Sequence, residues 1–206
     1  AVDPRLEVPG PGYVLVVDQT REDASVNACG ADRNRFLEML FVAREEHPGA
    51  TIVIKSHPET AQDLRAGHFT KDDIGDNITL LDDPVSPWTL LEGAIAVYTV
   101  SSQLGFEAIF AGHRPRVFGT PFYAGWGLTQ DEFPVQRRQR VLSRAQLFAA
   151  AVLLYPAAMA GAVAYFLRAT PLVAAILPEG HTISDTRRLI MYARREPGGQ
   201  ICFGAI

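Results

Sequence analysis

The chain has 206 residues, 48% of them hydrophobic and 20% charged, a balance that argues for a globular fold and against a disordered chain. Nineteen Lys and Arg against 23 Asp and Glu leave a net charge of −4, which argues against nucleic acid as a partner. The two cysteines, Cys29 and Cys202, give neither a disulfide framework nor a metal-ligand spacing, and fit a reducing cytoplasmic setting.

The opening residues AVDPRLEVPGPG lack the basic start and apolar core of a signal peptide. The sequence does not start with Met, so a fragment of a longer protein is expected. Tyr13 to Asp18 (YVLVVD) follow a Pro-Gly-Pro-Gly turn cluster and read as a strand buried on both faces. Phe36, Leu37, Leu40 and Phe41 recur at helical spacing, so a helix is expected over 34–46, capped by Asp32 and stopped at Pro48-Gly49. Thr51 to Lys55 (TIVIK) is a second strand, and Ile78 to Leu81 a weaker third.

Ser86-Pro87 opens a short helix with proline at its favoured first position. Ile95 to Val100 (IAVYTV) makes a fourth strand, a helix follows over 103–111, and Arg116 to Phe118 form a short fifth strand. Ser143-x-x-Gln146 is a capping box ahead of an apolar helix, Leu147 to Leu154. Strands alternating with helices predict a Rossmann-like, doubly wound parallel α/β sheet over residues 10–156. Residues 157–206 lack that alternation and are expected to form a helical tail. Its stretch 157–177 is the most membrane-like, but Arg168 and Pro171 interrupt the roughly 20 apolar residues that a span requires.

Ligands of open parallel sheets collect at the carboxyl ends of the strands. Four clusters fall there: Gln19 to Ser25, Lys55-Ser56-His57-Pro58, Thr99 to Gln103, and Gly119 to Gly127. Ser101-Ser102 precede a helix whose free N–H groups suit a phosphate oxygen; equally, one serine could simply cap that helix. Pro58 holds His57 in extended or turn backbone at a strand end. There the imidazole could donate to a phosphate or leaving-group oxygen, or it is a structural histidine. Lys55 could add charge to the same anion, or be solvated. His47, His68, His113 and His181 have no such setting. No glycine-rich phosphate fingerprint follows the first strand and no Gly-x-Ser-x-Gly elbow occurs. The acid pairs Asp72-Asp73 and Asp82-Asp83 read as solvated loop residues rather than metal ligands. Arg137-Arg138-Gln139-Arg140 reads as a solvated basic face or an attractor of anions.

The run Gly119-Thr-Pro-Phe-Tyr-Ala-Gly-Trp-Gly-Leu-Thr129 resembles the signature of capsule polysaccharide β-Kdo transferases of the KpsC/LipA type. Val100-Ser-Ser-Gln-Leu-Gly-Phe-Glu-Ala108, Lys55-Ser-His-Pro58 and Gln19 with Glu22-Asp-Ala-Ser25 are similar to the same family in the same order. The resemblance covers residues 10–156. It implies the donor-binding half of a GT-B glycosyltransferase using CMP-Kdo, with no separate cofactor and no metal. It implies a lipid-linked Kdo acceptor, and an enzyme peripheral at the inner membrane beside capsule assembly proteins. Carried over, His57 would contact the CMP phosphate and assist its departure, and Ser101 and Ser102 would bind that phosphate. Gln19, Ser25, Lys55 and Pro58 would line the donor site. Phe122, Tyr123, Gly125, Trp126 and Gly127 form the signature loop.

A GT-B enzyme requires a second Rossmann-like half, which would carry the acidic catalytic residue and most of the acceptor site. The alternatives are therefore an inactive nucleotide-binding module, or a GT-B-like enzyme with a UDP donor.

Overall fold

The computed structural model describes residues 9–154, together with the backbone of two short strands, 191–195 and 201–205. The chain divides into two compact units, Ala1–Val141 and Leu142–Ile206.

In the first unit the element order is β1 (Tyr13–Val17), α1 (Ala24–Ala28), α2 (Arg33–Glu46), β2 (Ile52–Lys55), α3 (Pro58–Ala61) and a 3₁₀ turn (Lys71–Asp73). There follow β3 (Ile78–Leu81), α4 (Pro87–Gly93), β4 (Ala94–Thr99), α5 (Gln103–Phe110), β5 (Arg116–Val117) and β6 (Gln130–Asp131). Six strands make one sheet in the order β3-β2-β1-β4-β5-β6, every neighbouring pair parallel. This is the doubly wound, Rossmann-like arrangement that the alternation predicts.

The pleat of β1 shows why the sheet is covered on both faces. Val14 and Val16 pack with Phe36, Met39, Leu40 and Ala43 of α2 on one side. Tyr13, Leu15 and Val17 pack with Leu90 and Leu91 of α4 and Ala108 of α5 on the other. Successive side chains of a strand point to opposite faces, so an unbroken apolar run such as YVLVV needs a helical layer on each. The Tyr13 hydroxyl, inside that second layer, donates to the Leu90 carbonyl at 2.7 Å.

The expected caps are present. Asp32 accepts from the Arg35 N–H at 3.2 Å and starts α2. Four short elements were not expected: α1, α3, the 3₁₀ turn and β6. Each is five residues or fewer, too short for a periodic pattern to show.

In the second unit Ser143 and Gln146 form the expected reciprocal capping box, and α6 (Arg144–Phe148) runs on as a π-helical turn over Ala149–Leu154. The helix expected over 147–154 is thus α-helical only at its start. β7 (Met191–Arg195) and β8 (Ile201–Ala205) pair antiparallel. These ten residues are strands where a helical tail was expected. The remainder of the expected tail, including 157–177, lies outside the described residues.

Candidate functional site at the strand ends

The helices that follow β1 and β4 depart to opposite faces, α2 to one and α5 to the other, so the strand order reverses between these two neighbours. A crevice opens at such a switch point, outside the carboxyl ends of the strands. Gln19 stands just after β1 and Ser101 just after β4, and a reciprocal pair of hydrogen bonds joins them. The Ser101 N–H donates to Gln19 Oε1 at 3.0 Å, and Gln19 Nε2 donates to Ser101 Oγ at 3.1 Å. Both residues are buried, at 3% and 7% exposure, in contrast to ordinary surface polar groups.

Ser25 and Asp23 extend this network. Ser25 Oγ lies 2.9 Å from Ser101 Oγ and donates to Asp23 Oδ1 at 2.6 Å. The Ser25 N–H also donates to Asp23, at 2.7 Å, which makes Asp23 the N-cap of α1. Burial works to raise the Asp23 carboxyl. The hydrogen bonds from Ser25, Gln19 and the Val26 backbone outweigh it and hold the group below the usual carboxylate range.

The two serines at the end of β4 therefore have different work. Ser101 is bound into the Gln19 network, whereas Ser102 Oγ accepts from the Leu104 N–H at 3.2 Å and caps α5. The Ser102 carbonyl takes the buried Tyr123 hydroxyl at 2.6 Å, and burial raises the Tyr123 pKa well above that of a free phenol. Gly105, one turn into α5, allows this approach. A Cβ there would come within 2.3 Å of the Tyr123 hydroxyl oxygen.

His57 caps α3, its Nδ1 accepting from the Glu59 N–H at 3.2 Å, with Pro58 at the first helical position. An acceptor Nδ1 puts the proton of the neutral ring on Nε2. Lys55 Nζ donates to the carbonyls of Ser56 and Leu81 at 3.0 and 3.2 Å. Burial lowers its pKa, opposed by the charges of Asp82 and Asp83. Lys55 thus closes the ends of β2 and β3 rather than standing solvated.

The signature loop is wedged between α5 and the segment after β6. Phe122 is half exposed while Tyr123 is fully buried, and Trp126 Nε1 donates to the Phe122 carbonyl at 2.8 Å. Gly125 has a φ of +82°, which disfavours other residues there, and its N–H donates to Asp131 Oδ2 at 3.0 Å. Gly127 follows in the same turn of chain. Arg138 donates to the carbonyls of Pro121 and Ala124 and lies 5.6 Å from the Trp126 ring centre. The basic run 137–140 is therefore not simply a solvated face, because Arg138 fastens this loop. Likewise Asp73 is no solvated loop acid: it pairs with Arg33 at 3.0 Å and closes the 3₁₀ turn. Cys29 Sγ accepts from the Thr120 N–H at 3.2 Å and joins the end of α1 to the start of the loop.

The structure thus brings Gln19, Ser25 and Ser101 into direct contact and joins Ser102 to Tyr123. His57 and Lys55 stand at the end of the neighbouring strand β2, without a hydrogen bond to that cluster. Two acids were not singled out in the sequence, Asp23 being read only as part of the Gln19-to-Ser25 cluster. Asp23 had a legible signal, an acid two residues ahead of Ser25 at the start of a short helix. Asp18 had none. It ends the apolar run of β1, is 2% exposed, and accepts from the N–H groups of Gln19, His68 and Phe69 at 2.9, 3.1 and 3.4 Å. Burial nevertheless pushes its pKa up to about 6. Two cavities, of about 350 and 290 Å³, are lined by Arg114, Asp131 and Arg138 and by Arg21, Leu64 and Arg65 respectively. Gly125 and Gly127 of the signature loop also line the first, and Glu22 of the cluster after β1 the second, whereas Gln19, Ser25, Lys55, His57, Ser101 and Ser102 line neither.

A doubly wound α/β unit with buried polar groups converging at its switch point belongs to the Rossmann-like class of folds. More particularly, the chain belongs to the family of capsule polysaccharide biosynthesis proteins, which matches residues 3–163. It is 38% identical over 143 residues to the capsule polysaccharide modification protein LipA of Neisseria meningitidis serogroup A, covering 69% of this chain and 20% of that protein. It is also 38% identical over 143 residues to the lipopolysaccharide-processing protein LpsZ of Rhizobium meliloti, covering 69% of this chain and 32% of that one. Among solved structures it is similar to KpsC, a β-Kdo 2,4-transferase of Thermosulfurimonas dismutans. The TM-score is 0.69 and the identity 42%, over 75% of this chain and 48% of that one. The expected KpsC/LipA-type resemblance holds. The chain spans a fifth to a third of the length of these curated relatives, and under half of the KpsC chain.

Proposed function

We propose that this chain is the donor-binding half of a CMP-Kdo-dependent glycosyltransferase that adds β-Kdo to a lipid-linked acceptor in capsule biosynthesis. The observation that carries the reading is the 42% identity to a β-Kdo transferase over a unit whose strand ends converge on one crevice. In this reading the nucleotide phosphate lies over the start of α5. Ser102 Oγ accepts from the Leu104 N–H and keeps its own proton for a phosphate oxygen at the positive end of the helix. His57 Nε2–H is the second donor.

When the bond between the phosphate oxygen and the anomeric carbon breaks, negative charge grows on the leaving phosphate. A hydrogen bond that strengthens with that charge lowers the barrier. The acceptor hydroxyl and the acid or base that serves it belong to a facing half. The assembled enzyme works at the cytoplasmic face of the inner membrane, beside capsule assembly proteins. Among the described residues no helix is long and apolar enough to cross a membrane.

Calorimetric titration tests this. CMP and CMP-Kdo are expected to bind and UDP to bind far more weakly. His57→Ala and Ser102→Ala are each expected to lower CMP affinity about tenfold to a hundredfold, the worth of one charge-assisted hydrogen bond. Equal binding of UDP, or no binding of CMP, overturns the reading. A transfer assay with CMP-Kdo and a Kdo-lipid acceptor separates an active enzyme from an inactive binding module.

A further inference from the structure

The cavity of about 350 Å³ lies at the β6 edge of the sheet, separated from β4 by β5 and sharing none of the nucleotide residues proposed above. Its charges do not balance. The Asp131 carboxylate is engaged by the loop itself, Oδ2 accepting from the Gly125 N–H at 3.0 Å and Oδ1 from the Thr129 hydroxyl at 2.7 Å. Arg114 is tethered through Nε alone, which donates to the Thr129 carbonyl at 3.2 Å. Among the described residues its two terminal nitrogens have no further hydrogen bond and no carboxylate partner. On the other wall Arg138 is fastened to the carbonyls of Pro121 and Ala124. Its stem lies so close to Gly125 that a Cβ there would come within 3.2 Å of it. Two anchored guanidiniums thus line the cavity with a single carboxylate that is already satisfied, and the excess charge is positive.

A guanidinium held by a backbone carbonyl loses little freedom on taking up an anion, and its planar fork matches a carboxylate. The space falls at the lower end of the range occupied by small-molecule sites, more than a bare oxyanion needs. Pro134 and Val135 give it an apolar wall, and Gly125 and Gly127 add backbone without side chains. We infer that this cavity is a subsite for a sugar acid, a carboxylate-bearing unit of the saccharide, with Arg114 as the residue that binds the carboxylate. This rests on the β-Kdo reading above, because Kdo keeps its carboxylate after transfer, but the subsite serves the saccharide rather than the nucleotide.

The experiment titrates free Kdo into the ¹⁵N-labelled full chain in the presence of CMP, with amide shifts reporting where it binds. Shifts at Gly125, Gly127 and Asp131 are expected, with Ser101 and Ser102 unmoved by Kdo. Arg114 is exposed, so Arg114→Gln is expected to fold and to bind CMP as the wild type does. The same variant is expected to weaken Kdo about tenfold to a hundredfold, as loss of one charge-assisted hydrogen bond does. Kdo methyl ester, which lacks the charge, is expected to bind the wild type as weakly as Kdo binds the variant. Absence of shifts at the loop, an affinity indifferent to Arg114→Gln, or an ester that binds as tightly as the acid overturns the inference. So does inorganic phosphate that displaces Kdo at equal concentration, the mark of a general anion site. CMP binding without Kdo binding removes the subsite and leaves the nucleotide reading intact, whereas Kdo at the loop without CMP binding removes the nucleotide reading alone.

Discussion

Asp18 and Asp23 lie five positions apart and couple to pH with opposite signs. The Asp18 carboxyl is raised above its unfolded value, to about 6, so its contribution to stability is full at low pH and is lost as pH rises through that value. Asp23 is lowered, so its contribution is present at neutral pH and is lost on acidification. Wild type and Asp18→Asn compared in urea from pH 4 to 7 isolate the first effect. The stability of the wild type relative to the variant is expected to fall with rising pH, by at most about 3 kcal/mol for a shift of this size. A pH-independent difference would show that Asp18 titrates normally. Asp18 was illegible in the sequence because its partners, the N–H groups of His68 and Phe69, come from a segment some fifty residues away. The serine pair was legible as a strand-end feature, but not that Ser101 joins the Gln19 network while Ser102 caps α5. That network depends on Asp23 and Gln19, which only the folded β1–β4 crevice brings to Ser101.

Among the elements, α5 and the signature loop behave as one piece, joined where the Tyr123 hydroxyl meets the Ser102 carbonyl. Tyr123→Phe is expected to cost about 1 kcal/mol in denaturant unfolding, since that carbonyl keeps its bond from the Gly105 N–H. Gly105→Ala is expected to cost more, about 1–3 kcal/mol, because its methyl group would overlap Tyr123 and Thr99 in a packed site. If both variants melt like the wild type, the loop is not anchored through α5. The long elements of this layer were readable in advance, since apolar runs and helical spacing report burial directly. β6 was not. Gln130 and Asp131 have no strand composition and form a strand only because they align with Arg116 and Val117 of β5. The aromatic-glycine run was recognisable as a family signature, but its physical job, a turn fastened by Arg138 and Asp131, was not.

At the scale of the molecule, all six strands of the parallel sheet and every residue proposed to touch the nucleotide precede residue 132. Removing residues 157–206 is therefore expected to leave cooperative unfolding and CMP affinity unchanged. Loss of either would show that the remainder of the chain completes the core of the sheet.

The join between Gln19 and Ser101 also bears on how fast the protein becomes competent. These residues are 82 positions apart, and β1 must pair with β4 across two intervening strands of sequence before they meet. Parallel pairing at such separation closes a long loop before any contact offsets the lost entropy, and high contact order slows folding. The crevice therefore forms only once β1 and β4 have paired, and no early hairpin can supply part of it. In stopped-flow refolding, capture of a fluorescent nucleotide should rise with the same rate constant as burial of the central strands, with no faster binding phase ahead of it.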